Sequence, residues 1–166
     1  MSNVNYAKEN VILEAVRSIL VADNGTLSSD VKSIHQYVAD RIIRKKAFLE
    51  PPEESLITME VISRGGNYNL PSSSWFLTIT AINPMEAEPI VAGSNAQDDV
   101  ANMSQRIEYL LNKKHDDLNN SVPTKNLRCR LINRISLLPT DDEKLKLYKR
   151  DIVFEMITDD EILDCN

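Results

Sequence analysis

Chemistry needs side chains that converge, so the residues able to supply it are considered first. The 166-residue chain has two histidines, His35 and His115, and two cysteines, Cys129 and Cys165. The histidines fall in two different helical stretches. His35 adjoins an apolar stripe and reads as a structural histidine, and His115 beside Lys113 and Lys114 reads as solvent-facing. Cys129 sits within an apolar strand pattern, where a cysteine behaves as a small hydrophobe. The cysteines lack metal-ligand spacing, and without an export signal both are expected as reduced thiols. Two acidic triplets, Asp141-Asp142-Glu143 and Asp159-Asp160-Glu161, could suggest Mg²⁺ ligands. Adjacent carboxylates in a loop diverge, however, and metal chemistry gathers them from separate elements. Gly65-Gly66 is followed by no Gly-Lys-Ser/Thr and opens no helix, so it is not a phosphate loop. The expectation is no catalytic residue, no metal and no cofactor.

The arginines Arg128, Arg130 and Arg134 are the most suggestive surface feature. If all three lie on one face of a strand, they form a short basic stripe. Such a stripe could meet phosphates or the acidic tail of a neighbouring subunit. The bland alternative is a solvated outer strand face. Aromatic residues do not interleave with the stripe as they would on a single-strand nucleic-acid platform.

The elements that would position these residues follow from periodicity. Ser74–Ile82 alternates strictly, with Trp75, Leu77, Ile79 and Ala81 pointing one way and Phe76, Thr78, Thr80 and Ile82 the other. It predicts a central strand. Leu56–Ile62 predicts the strand before it, with Ile57, Met59 and Val61 on one face. Asn95–Lys114 carries a buried stripe of Val100, Met103, Ile107, Leu110 and Leu111 and predicts a helix, capped by Ser94 or Asn95. Asn10–Ala22 predicts an amphipathic helix ended by Asp23-Asn24-Gly25. A shorter helix follows, capped by Ser28 or Ser29, with Val31, Ile34, Val38 and Tyr37 inward. Arg41–Leu49 is open between helix extension and a first strand, and Pro51-Pro52 forces a break. Ser63–Ser73 reads as a mobile polar loop. Leu127–Ser136 predicts a strand with Leu127, Cys129, Leu131 and Ile135 on one face. Leu138–Lys144 reads as an acidic loop, Leu147–Ile157 as the last strand, and 158–166 as a frayed acidic tail. The order α-α-(β)-β-β-α-β-β predicts an α+β fold. Its antiparallel sheet of four to five strands has helices packed on one face.

Length and composition suit one soluble domain spanning residues 1–166, with 42% apolar and 27% charged residues. The N-terminus lacks a basic-then-apolar signal pattern, and no apolar run approaches the roughly 20 residues a bilayer requires. The net charge of −6 is localised. Residues 151–166 carry six acids and no base, leaving 19 acids against 19 bases before them. A neutral body should not bind nucleic acid strongly through its overall field.

Beyond these readings, the chain as a whole resembles a known family. ILVADNGTL closes the first helix, and a second short helix runs into RIIRKKAFLEPP. The strand LITMEVIS, a glycine- and serine-rich loop and the strand SWFLTITAI follow. A long connector leads to the helix DDVANMSQRIEYLLNK and then to two strands ending in KRDIVFEMI. Over residues 10–158 this order resembles the tail terminator, or tail completion, proteins of long-tailed phages. The resemblance implies a non-enzymatic virion protein at the head-proximal end of the tail, assembled in the host cytoplasm. It would form a homo-oligomer, a hexameric ring on the tail tube. Its partners would be the tail tube protein and a head completion or connector protein. DNA would pass the lumen without specific binding, and no membrane is implied. Candidate interface residues are Arg64, Asn67, Tyr68 and Asn69 of the polar loop, Arg128, Arg130 and Arg134, and Asp159, Asp160 and Glu161 of the tail. The alternatives are a head–tail connector or neck protein and, further off, a small metal-dependent enzyme using Asp141 and Asp142.

Overall fold

A computed structural model describes residues 8–27, 31–66, 72–113 and 127–160. The elements run α1 (Lys8–Ala22), α2 (Ile34–Val38), β1 (Ile42–Arg44), β2 (Leu56–Gly66), β3 (Ser72–Pro84), α3 (Ala96–Lys113), β4 (Leu127–Pro139) and β5 (Leu147–Asp160). The strands form one sheet in the order β1-β2-β3-β5-β4. All neighbours are antiparallel except β1 and β2, which are parallel. The fold is thus α+β with a mostly antiparallel sheet. The open question at Arg41–Leu49 resolves as a three-residue strand that joins β2 at Ile57–Met59.

Burial follows the alternation. Trp75, Leu77, Ile79 and Ala81 of β3 lie across from Met156, Phe154, Ile152 and Arg150 of β5. The apolar members of this face pack under α1 and α3 with Ile57, Met59 and Val61 of β2. Each such aliphatic or aromatic side chain contributes about 2 kcal/mol by leaving water. The Trp75 indole donates to Thr158 Oγ1 at 2.9 Å, and Thr158 is fully buried. The end of the last strand is therefore held: β5 runs on through Asp160, where the sequence suggested fraying from residue 158.

Two polar knots join the layers. Asp23 at the end of α1 accepts from Arg106 Nη2 (2.7 Å) and Nε (3.0 Å) of α3 and from the Ile34 amide at the start of α2 (2.9 Å). This carboxylate does the work expected of Gly25, which is not in a left-handed conformation. Asn83, also buried, accepts from Ser55 Oγ and donates to the Ala96 carbonyl, linking the end of β3 to the start of α3.

The helix starts also differ in detail from expectation. α2 is capped by Ser33, whose hydroxyl and amide exchange bonds with Gln36 in a capping box. Ser28 and Ser29 lie outside the described residues. Val31 is half exposed, and the His35 side chain is exposed, because the helix begins three residues later than its apolar pattern. Asn95 caps α3: its side chain accepts from the Asp98 amide at 2.9 Å, and Asp98 returns a bond to the Asn95 amide. Asp99 anchors the preceding connector by accepting from the Ile90 amide and Ser94 Oγ. Gly93, at φ 82°, supplies the positive φ of the turn closed from Val91 to Ser94. No helix among the described residues is long and apolar enough to cross a membrane.

Ala39 makes the tight turn between α2 and β1 at φ 52°, ψ −115°, a conformation that glycine adopts far more readily. Ala39→Gly is expected to stabilise the fold by ~1 kcal/mol, read as a raised Tm with an unchanged circular dichroism spectrum. Thr158→Val is expected to destabilise by about 1–2 kcal/mol in urea unfolding, because it strands a buried indole N–H.

Candidate assembly surface

Among the described residues, all three helices lie on one face of the sheet and the opposite face is covered only at one end. There the side chains form cross-strand rows through β2, β3 and β5: Leu56–Ile82–Lys149, Thr58–Thr80–Asp151, Glu60–Thr78–Val153 and Ile62–Phe76–Glu155. The chain after β1 and the turn before β5 fold over the first rows. Phe48, Ile43 and Leu145 close a small second core on Leu56, Ile82 and Leu147.

Beside that cover is a recess of about 370 Å³ with Thr58, Thr80 and Asp151 among its lining residues and with Lys45, Lys46 and Lys149 around it. Its charges are spoken for within the chain. Thr80 Oγ1 donates to Asp151 at 2.6 Å, Lys45 pairs with Glu60 at 3.0 Å, and Lys149 pairs with Asp142 at 3.5 Å. The Leu145 amide, donating to Asp142 at 3.0 Å, and secondarily Lys149 hold the Asp142 carboxyl below its ordinary value. Of the first acidic triplet, Asp142 thus pins the β4–β5 turn. Among the described residues, no three His, Cys, Asp or Glu side chains gather as metal ligands would.

The uncovered end of this face carries Arg64. Its guanidinium lies 4.5 Å from the Phe76 ring centroid and pairs with Glu155, so three strands share one contact. Ile62 beside it is half exposed. The topology brings the positions of Arg64, Arg128, Arg130, Asp159 and Asp160 to this end. Gly66 pairs with Ser73, Ser72 with Asp159, and Leu127 with Asp160, so the 67–71 connection, the start of β4 and the end of β5 share one end of the sheet. Asn67, Tyr68, Asn69 and Glu161 lie outside the described residues. Position 128 is opposite Asp159, and position 130 is opposite Ile157. The polar stretch 63–73 is shorter as a loop than expected, because Ser63–Gly66 and Ser72–Ser73 belong to strands.

Arg134 does not join Arg128 and Arg130. β4 has irregularities between Leu131 and Asn133 and between Arg134 and Ser136, and each shifts the register. Arg134 therefore falls opposite Phe154 on the helix side and pairs with Glu108 of α3 at 3.1 Å. By the same shifts Ile135, expected on the buried face, is 47% exposed, with Ile132 at 51% and Leu138 at 52%. Sequence reasoning missed this flank. Its signal is the broken alternation of Leu131–Leu138, where strict period-2 reading fails. Arg150, across from Pro139 and Ala81, falls on the helix side of β5, and its Nε is buried without a hydrogen-bond partner among the described residues.

On the helix side, a shallow groove of about 350 Å³ lies between α2 and α3, lined by Val31, Tyr37, Arg106 and Tyr109 among others. Burial, and then the Asp99 charge, push the Tyr37 phenol up to about 12. Arg106 reaches over Tyr109 at 5.3 Å while its hydrogen bonds go to Asp23.

No protein-family model matches the sequence, and no curated protein matches it. A solved structure does. The chain is similar to a chain of the virion of the native gene transfer agent (GTA) particle, with a TM-score of 0.51 at 12% identity. The match covers 94% of this chain and 98% of that one. A virion component shares this fold. At that identity the likeness is one of architecture, and it spans the helices and the sheet together.

The Asp142 contact predicts a pH signature. A carboxyl lowered by folding stabilises the native state above its unfolded value, near 3.8, and that contribution is lost as pH falls through the lower folded value. Asp142→Asn should therefore lower Tm by a constant amount between pH 5 and 7. The difference from wild type should vanish in acid, as measured by thermal melts across pH.

Proposed function

We propose that this chain is a structural virion protein that works through its surfaces. It forms a ring on the end of a phage-type tail tube, stops tube growth and presents a surface for head joining. The observation that carries the reading is the co-extension of nearly the whole chain with a component chain of a virion particle. The order of elements, which resembles that of tail terminators, points the same way.

A ring is a head-to-tail assembly that closes on itself, so each copy needs two different complementary surfaces. A sheet with one open face, a long outer strand and candidate docking residues gathered at one end has the required asymmetry. Termination is then a difference between interfaces: one ring face matches the last tube ring, and the other refuses a further tube subunit. The near-neutral body suits a lumen through which DNA must slide, since strong basic attraction would hold the duplex in place.

Electron microscopy of particles assembled without this chain tests the reading. Tubes of abnormal length are the expected result. Tails of normal length lacking heads would instead assign a connector role, and normal, head-bearing tails would overturn both.

A further inference from the structure

β4 is the outermost strand, and its free edge is unlike the edge at the other side of the sheet. β1 is three residues long, and Arg17 of α1 donates to its Ile42 carbonyl at 3.2 Å, occupying an edge acceptor. β4 is thirteen residues long and, among the described residues, is hydrogen-bonded to a strand on one side only. Its flank exposes Ile132, Ile135 and Leu138. It carries three arginines and no acid over residues 127–139. Long apolar edges invite another strand, and this one, positively charged and interrupted by two register shifts, suits a particular partner rather than indiscriminate pairing.

The complementary segment is in the same sequence. Residues 161–166, Glu-Ile-Leu-Asp-Cys-Asn, combine two acids with adjacent isoleucine and leucine. They follow directly on Asp160, which pairs with Leu127 at the opposite end of β4 from Pro139. Ile135 lies eight residues along β4, ~26 Å at ~3.3 Å per residue, and Pro139 lies still further. Six residues fully extended span about 20 Å, so a chain's own segment falls short of its own Ile135. A neighbour's segment meets no such limit.

Resting on the ring reading above, we infer that the Glu161–Asn166 segment of one copy docks along the β4 flank of the next. It meets Ile132, Ile135 and Leu138 with its apolar residues, and its acids complement a strand that carries three arginines and no acid. The contact is head-to-tail, because donor end and acceptor flank are different surfaces of one chain, and repeated around an axis it closes a ring.

Disulfide trapping of the full chain tests this, with the protein free and mixed with tail tube. In a Cys129→Ser background, Ile135→Cys should link to Cys165 of another copy under mild oxidation and give a ladder of covalent multimers. The ladder should disappear with Cys165→Ser, fall at least fivefold with Glu161→Lys plus Asp164→Lys, and be absent when the cysteine is placed instead at Val21 on α1. Bridges within single chains only, Ile135→Cys pairs that survive Cys165→Ser, equal yield from Val21→Cys, or no ladder in either condition would each overturn the inference. Native mass spectrometry separates it from the ring reading. Rings unchanged by Glu161→Lys plus Asp164→Lys would sink the tail contact and leave the ring intact. If wild type formed no ring on tube, the ring reading itself would fail.

Discussion

A sheet whose helices cover one face only must solve two different problems on its two faces, and most of this structure follows from that. On the covered side, the answer is dense apolar packing of β2, β3 and β5 under α1 and α3. On the other, rows of threonines and charged residues run across neighbouring strands, with Thr80 donating to Asp151 and Arg64 pairing with Glu155. Cross-strand pairs of this kind stabilise a face without drying it. Among the described residues, the result is an apolar core on one side of the sheet and a half-polar face on the other.

The covered side needs its helices held at fixed positions, and single buried polar residues provide this. Asp23 ties the end of α1 to the start of α2 and, through Arg106, to the middle of α3. Asn83 ties β3 to the first turn of α3, and Asp99 fastens the connector between them. Removing one partner from such a site leaves the other desolvated and unpaired, which penalises any rearrangement of the layer.

β4 departs from the regularity of the other strands. Two register shifts within a few residues turn an alternating pattern into a twisted flank that exposes isoleucines on one side and sends Arg134 to α3 on the other. Bulges re-aim side chains and interrupt edge pairing, so a bulged outer strand is suited to a specific partner and poorly suited to indiscriminate stacking.

Period-2 and period-3.6 patterns determined the element order, the α+β class and the core of β3 and α3, because burial of one face imposes those periods directly on residue type. Trp75, Leu77 and Ile79, or Val100, Met103 and Ile107, are legible without coordinates for that reason. Cap chemistry was legible at Asn95; at Ser33 the local box with Gln36 was passed over for Ser28 or Ser29, and at Asp23 the partner Arg106 comes from 83 positions away. The parallel placement of β1, the split of Arg134 from Arg128 and Arg130, and the exposure of Ile135 were decided by tertiary structure alone. Each depends on strand register, and a shift of one residue reverses every side chain beyond it while leaving the composition of the segment unchanged.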